Sequence, residues 1–185
     1  MKTWPESVER VANVLRERGV HARLEEFEHG TGSAREAARA AGCELEQIVK
    51  SIVFVCDGAA VLALLPGDRR ADAAKVAAAT GAFGARVAKP EEVVAATGFE
   101  PGAVAPFPAP HVVTTLIDNA LLRHEVVWCG AGSDRHIMGL SPHEVARVTQ
   151  AVPAAVNFCM AVRVSDAVPS AMRTSGRCRE QDATT

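Results

Sequence analysis

The sequence predicts an α+β fold, a mixed β-sheet flanked by helices in a single domain. Three observations carry this. At 185 residues the chain is long enough for one domain with a substantial core and too short for two ordinary ones. Hydrophobic residues make up 48% against 23% charged, with 4% aromatic and no Tyr, so the core must be built from Val, Ala, Leu and Ile. Candidate helices are interleaved with hairpins and single strands, an order that suits a mixed sheet better than a doubly wound parallel one.

The elements follow in chain order. Pro5 and Glu6 open a helix with Val8, Val11, Ala12, Val14 and Leu15 on one stripe, and Arg18-Gly19 closes it. Residues 21–28 alternate, with Ala22, Leu24 and Phe27 facing inward, and lead through His29-Gly30-Thr31-Gly32 as a loop. Ser33 and Glu36 have capping-box spacing, so a second helix starts there and stops at Gly42. Residues 44–50 read as a short turn or helix. The apolar runs 51–56 and 60–65, joined by Asp57-Gly58, form a hairpin that ends at Pro66-Gly67-Asp68.

Asp72 to Thr80 is an alanine-rich helix with Gly81 at its end. A short strand over 85–88 precedes Lys89-Pro90-Glu91-Glu92, where a proline near the start and acids in the first turn set a helix over 90–97. The prolines between 101 and 110 forbid regular structure. Strands are expected at His111–Ile117 and Glu125–Cys129, separated by a turn at Asp118-Asn119, with Gly130-Ala131-Gly132-Ser133 following as a loop. Ile137–Leu140 is one more strand. Ser141-Pro142-His143-Glu144 starts a last helix over 142–150. The domain is therefore placed at residues 1–156, and 157–185 reads as a polar C-terminal tail.

Composition excludes several classes. A net charge of -2 does not suit wrapping of long nucleic acid, which needs clustered Lys and Arg, although local phosphate contacts stay open. Five cysteines, odd in number and without C-x-x-C spacing, argue for reduced, mostly buried thiols rather than a disulfide framework or zinc ribbon. No leader or membrane-spanning run is evident, so a cytoplasmic location is expected. The sequence lacks G-x-G-x-x-G, a Walker lysine loop, paired histidines at i, i+4 and a G-x-S-x-G elbow; neither metal nor other cofactor is expected, and covalent catalysis is disfavoured.

Two segments stand out. Lys50 is a lone cation where an apolar strand begins, in Gln47-Ile48-Val49-Lys50-Ser51-Ile52-Val53-Phe54. Downstream, Gly102-Ala103-Val104-Ala105-Pro106 is a short rigid loop whose Gly102-x-x-x-Pro106 spacing leaves three successive residues with amides able to point one way. Together they suit a pocket for an anionic or carbonyl ligand. Each also has a plainer reading: a solvated lysine at a helix C-terminus, and an ordinary connecting loop.

These segments, with Glu36-Ala37-Ala38 and Gly42, Leu62 to Arg70, Glu91-Glu92-Val93, Thr97-Gly98-Phe99 and Leu140-Ser141-Pro142, occur in the order seen in YbaK/ProX-type domains. Over roughly residues 20–150 the chain resembles that family of aminoacyl-tRNA deacylases, related to the editing domain of bacterial prolyl-tRNA synthetase. The resemblance implies a partly barrel-like mixed sheet and hydrolysis of the ester between a wrong amino acid and the 3′ end of a tRNA, typically the tRNA for proline. The tRNA acceptor end is the implied partner, with prolyl-tRNA synthetase a second.

By the same resemblance Lys50 lies beside the terminal adenosine and its phosphate, and the Gly102–Pro106 loop holds the aminoacyl group. Lys50, Gly102 and Ala103 are the candidate catalytic residues. Ser51, Val104, Ala105, Pro106, Gly130, Gly132, Ser133 and His136 are the candidate substrate-binding residues. Arg69 and Arg70, with Lys50, either meet tRNA phosphates or form a solvated face. Whether Lys50 acts as cation or base stays open, with the cation favoured. The stretch Gly130 to His136 does not reproduce the cysteine-directed branch, which counts against a thiol-assisted route. A non-catalytic module that binds an acceptor end or a synthetase is the competing reading, and a small-molecule esterase a third.

Overall fold

Asp57 and Gly58 both take positive φ, 47° and 87°, which is the geometry a two-residue hairpin needs to match the twist of its strands. The hairpin they close is the centre of the sheet. The structure, a computed structural model, describes residues 4–28, 30 and 32–158. In chain order the elements are α1 (Glu6–Glu17), β1 (Arg23–Glu26), α2 (Ala34–Ala41), β2 (Ile48–Cys56), β3 (Ala59–Pro66), β4 (Arg70–Ala71), α3 (Ala73–Thr80), β5 (Ala85–Val87), α4 (Pro90–Thr97), β6 (Thr114–Asp118), β7 (Val127–Ser133), β8 (His136–Leu140), α5 (Pro142–Thr149), β9 (Val152–Ala154) and β10 (Asn157–Phe158).

The strand order β1-β8-β7-β2-β3-β6-β9, with β5 also against β2, makes a mixed eight-stranded sheet. It is open, with β1 and β9 at the two ends of that order. The pairings β2·β7, β3·β6 and β6·β9 are parallel and the others antiparallel. A separate two-stranded ribbon joins β4 to β10. No helix among the described residues is long and apolar enough to cross a membrane.

Alternation along β2 and β3 builds two cores. Val49, Val53, Leu62 and Leu64 pack with Val11, Val93, Phe99, Met138 and Val145. Phe54, Cys56, Val61, Ala63 and Leu65 turn to the other face, against Val76 of α3 and Leu116 of β6. A third cluster sets Ala37 and Ala38 of α2 on Ile48, Trp128 and Ile137. The caps are local and sequence-driven. Ser33 Oγ accepts the Glu36 N–H at 3.2 Å and Asp72 Oδ1 that of Ala74 at 3.0 Å, while Gly42, Gly81 and Gly98 take the left-handed C-cap conformation.

Some expectations need correction. Of residues 44–50, only Leu45–Gln47 form a 3-10 turn; β2 already starts at Ile48, because Ile48 and Val49 pair with Trp128 and Cys129 and Lys50 interrupts only the hydrophobic pattern. Residues 111–113 precede the ladder, which begins at Thr114. Gly130 to Ser133 is part of β7, with a register shift rather than a loop. The sequence reading missed β4 and β9, and β9 carries Pro153, tolerated because β9 is an edge strand. Asn157 and Phe158, read as the start of a tail, form β10; the rest of that segment lies outside the described residues.

Candidate functional site

β3 occupies one edge of β2 along Val49–Cys56, so β5 and β7 must share the other. They do not meet. β7 pairs only with Ile48 and Val49, and β5 only with Phe54 to Cys56. Between them Lys50, Ser51 and Ile52 face no strand. The Val53 carbonyl on this edge accepts from Ala88 N–H at 2.9 Å. Because alternate residues of a strand direct both backbone groups to the same edge, Ser51 presents its N–H and C=O to the gap.

A cavity of about 300 Å³ opens at this gap. Of the residues expected from sequence, Lys50, Ser51, Gly102, Val104, Gly130, Ser133 and His136 line it. A second cavity of about 220 Å³, walled by Val87, Ala88, Pro90, Val93 and Pro101, lies beside it and shares Ser51, Ile52, Gly102 and Val104 with the first. The Gly102 turn thus stands between two hollows.

That turn has a defined shape. Ala103 N–H donates to the Glu100 carbonyl at 3.0 Å, Pro101 precedes the peptide that turns, and Gly102 has φ +90°. This is a type II turn, in which glycine relieves the left-handed position. Its consequence is chemical: the Ala103 amide is consumed by the turn, while among the described residues nothing accepts from Gly102 or Val104 N–H. Gly130 lets β7 approach the loop, since a Cβ there would sit 3.1 Å from the Val104 carbonyl oxygen.

Other expected residues lie away from the cavity. Ala103 and Ala105 are buried behind it, and Pro106 faces a different hollow with Glu17, Arg18 and Thr149. Gly132 has φ +95° and backs onto the Ser7 carbonyl and Phe99. Arg69 offers its carbonyl to Lys50 Nζ, and its guanidinium turns toward Asn157 and Asp68. Arg70 is exposed on β4.

The sequence reading missed part of the wall. Gly32, Ser33, Ala34 and Ala37 bring the start of α2 to the cavity, and Trp128 and Ile137 add apolar surface. The Ser33–Glu36 capping pattern locates the helix but carries no signal of what the helix faces.

Electrostatics separate the side chains. Lys50 is half-buried and its pKa is lowered, chiefly by loss of solvent; Asp68 opposes the shift and Arg70 adds to it. The Ser51 hydroxyl is buried and has no hydrogen-bond partner among the described residues. Ser133 Oγ accepts from Arg135 N–H at 3.2 Å and lies 2.7 Å from His136 Nδ1. Donation of its hydroxyl hydrogen to Nδ1 leaves the ring hydrogen on Nε2, 4.0 Å from the Glu26 carboxylate. Burial raises the Cys129 thiol far above its usual value, and burial also raises Cys56 and Cys43, so none has thiolate character.

Known proteins share this fold and sequence pattern. Residues 28–148 match the aminoacyl-tRNA editing domain. YwhH, an uncharacterized protein of Bacillus subtilis, is 34% identical over 122 residues, 65% of this chain and 77% of that protein. A proline–tRNA ligase of Desulfitobacterium hafniense is 32% identical over 123 residues, 65% of this chain but 21% of the ligase, so the chain spans about a fifth of that enzyme. The solved structure of a proposed trans-editing enzyme for prolyl tRNA synthetase is similar with a TM-score of 0.79 at 36% identity, over 84% of this chain and 99% of that one. The matched span contains Lys50, the Gly102 turn and His136, and the chain belongs to the aminoacyl-tRNA editing domain family.

Proposed function

We propose that this protein is an editing hydrolase that cleaves the ester joining a small, wrongly attached amino acid to the 3′ end of the tRNA for proline. The observation that carries the reading is the break in the sheet at Lys50 to Ile52. It gathers a half-buried ammonium, a buried hydroxyl without a partner among the described residues and the Gly102 turn around one cavity of about 300 Å³. A volume at the small end for ligand pockets suits an aminoacyl group and its sugar, with the remaining acceptor strand outside.

Ester hydrolysis needs an attacking water and donors for the oxyanion. In this reading the Gly102 and Val104 amides supply those donors from a rigid turn, with no reorganisation as charge develops. Ala103, whose amide is used by the turn, does not. Ser51 donates its unused hydroxyl to the substrate, which removes the cost of leaving it unpaired. Lys50 keeps one N–H on the Arg69 carbonyl, turns its remaining donors to the acceptor-end phosphate and stays a cation there. Proline is excluded by clash, since one methylene alters affinity by only about 1–3 kcal/mol in an apolar pocket. Prolyl-tRNA synthetase is the partner whose errors this activity corrects.

The test is deacylation of tRNA for proline charged in turn with alanine, serine, cysteine and proline, with Lys50→Ala alongside. Faster-than-spontaneous ester loss from at least one mischarged species, sparing the prolyl ester and weakened in the variant, is expected. Binding of charged tRNA without any ester loss would leave a non-catalytic module and overturn the proposal.

A further inference from the structure

The acceptor of the Lys50 ammonium is a backbone carbonyl, and what holds that carbonyl lies past the end of the matched family domain at residue 148. Arg69 closes the turn after β3, with its N–H on the Pro66 carbonyl at 3.1 Å. On one side this turn is pinned by Gly67, where even a Cβ would fall 2.5 Å from the Leu45 carbonyl oxygen. On the other it runs straight into β4, whose partner is β10.

β10 is locked in turn by buried polar groups. Asp118 is 1% exposed, and its carboxylate accepts from Ala120 N–H at 3.0 Å, Val156 N–H at 3.2 Å and Asn157 Nδ2 at 2.6 Å. With its amide committed to Asp118, Asn157 has its Oδ1 directed at the Arg69 guanidinium, 3.4 Å away, and its backbone carbonyl accepts from Lys75 Nζ at 2.9 Å. The Val156 carbonyl accepts from Asp72 N–H at 2.9 Å. A continuous path of hydrogen bonds therefore runs from a buried carboxylate on β6, through Asn157, to the residue whose carbonyl receives Lys50.

We propose that Asn157, anchored by Asp118, is a positioning residue: strand β10 straps the Arg69 turn so that the Lys50 ammonium is held at the wall of the cavity. Asn157 touches neither the cavity nor its contents. The proposal rests on the editing reading only for its effect on turnover. Its effect on Lys50 itself can be read without any substrate.

Two variants carry the test in the full-length chain. Asn157→Ala removes both side-chain links. Phe158→Pro weakens the ladder to Arg70 from a residue that is 55% exposed, so it leaves the core and the Asp118 cluster intact. The pH dependence of acylation at Lys50 is followed by mass spectrometry in each folded variant, alongside single-turnover deacylation. Release of the ammonium into water moves the acylation midpoint upward in both variants, and turnover falls about tenfold or more at little change in KM. The fall vanishes when Lys50 is already Ala. An acylation profile that is native in folded Phe158→Pro overturns the positioning role, whatever the turnover. A shifted profile in a protein that deacylates nothing sustains the strap and sinks the editing reading instead. A rise in KM alone, with kcat and Lys50 acylation native, assigns the Arg69 region to phosphate contact and also overturns the proposal.

Discussion

Gly102→Ala isolates the cost of backbone conformation at the site. Gly102 has φ +90° and a Cβ built on it meets nothing within 4 Å, so no clash contributes. The expected cost is that of holding an L-residue in the left-handed region, about 1–2 kcal/mol. The chain can absorb it in two ways. It can keep the type II turn and lose that stability, or it can flip the Pro101–Gly102 peptide to a type I turn, which rotates the Gly102 N–H away from the cavity. Loss of one oxyanion donor costs about 100- to 1000-fold in kcat. Urea unfolding and single-turnover deacylation, run together, therefore show a loss in at least one measurement. Gly102→Asn, which tolerates positive φ, retains more of both. Gly132→Ala is the control: its φ is +95° and its Cβ would fall 2.6 Å from the Ser7 carbonyl oxygen and 3.1 Å from Phe99 Cε1, so strain and clash add to about 3 kcal/mol or more. A Gly102→Ala protein with native urea midpoint and native turnover refutes the turn assignment. So does a stability loss as large as that of Gly132→Ala.

The ionisable groups make further predictions. Acylation of Lys50 titrates with a midpoint below 10.5 because burial disfavours its charge; between the lowered folded value and 10.5 the unfolded chain binds more protons, so stability rises with pH in that window. A midpoint at or above 10.5 counts against the burial. Cys129→Ala lowers stability by about 0.5–3 kcal/mol and leaves turnover unchanged, since the thiol is fully buried and its pKa is raised by loss of solvent; a selective loss of turnover revives a thiol route. Glu92 is held to about 2 by the Arg86 guanidinium, at 2.7 and 2.6 Å, and by the Lys89 amide. Its contribution to stability is complete above about pH 4.5 and lost as pH falls through about 2, and carbon-detected NMR of Arg86→Ala moves its titration upward. An unmoved titration removes the pair as the cause.

The elements that were legible in the sequence are those whose signals are local. Ser33 with Glu36, Asp72, Pro90 with Glu92, and Asp57-Gly58 each fix a helix start or a turn through contacts within a few residues. What escaped is what depends on distant partners. β4 and β10 have two residues each and exist only because they pair with one another. β9 carries a proline, and only its place at the edge of the sheet admits it. At the site the same division holds. Lys50 and Gly102 were readable from residue type and loop chemistry. Trp128, Ile137 and the start of α2 reach the cavity through the β2·β7 pairing and the packing of α2, and neither leaves a mark in local sequence. The loop amides divide the same way: the sequence offers three successive amides between Gly102 and Pro106 that can point one way, and a single hydrogen bond from Ala103 to Glu100 commits the first of them to the turn.

The break in the edge of β2 explains why these groups meet at all. A strand paired on both edges has no free backbone to offer, and a strand with a bare edge invites a second chain. Here the bare stretch is three residues long, Lys50 to Ile52, bounded by β7 at Val49 and by the Ala88 N–H on the Val53 carbonyl just before β5, and covered by the Gly102 loop. It is too short to template another strand, yet long enough to present the Ser51 backbone and hydroxyl. The close approach at Gly130 holds the loop against β7, and the Arg69 turn holds Lys50 on the opposite face of β2. Lengthening either flanking ladder would close the gap. A substitution that extends β5 toward Ile52 is thus expected to abolish ligand access while raising stability, the opposite of the stability loss expected from Gly132→Ala.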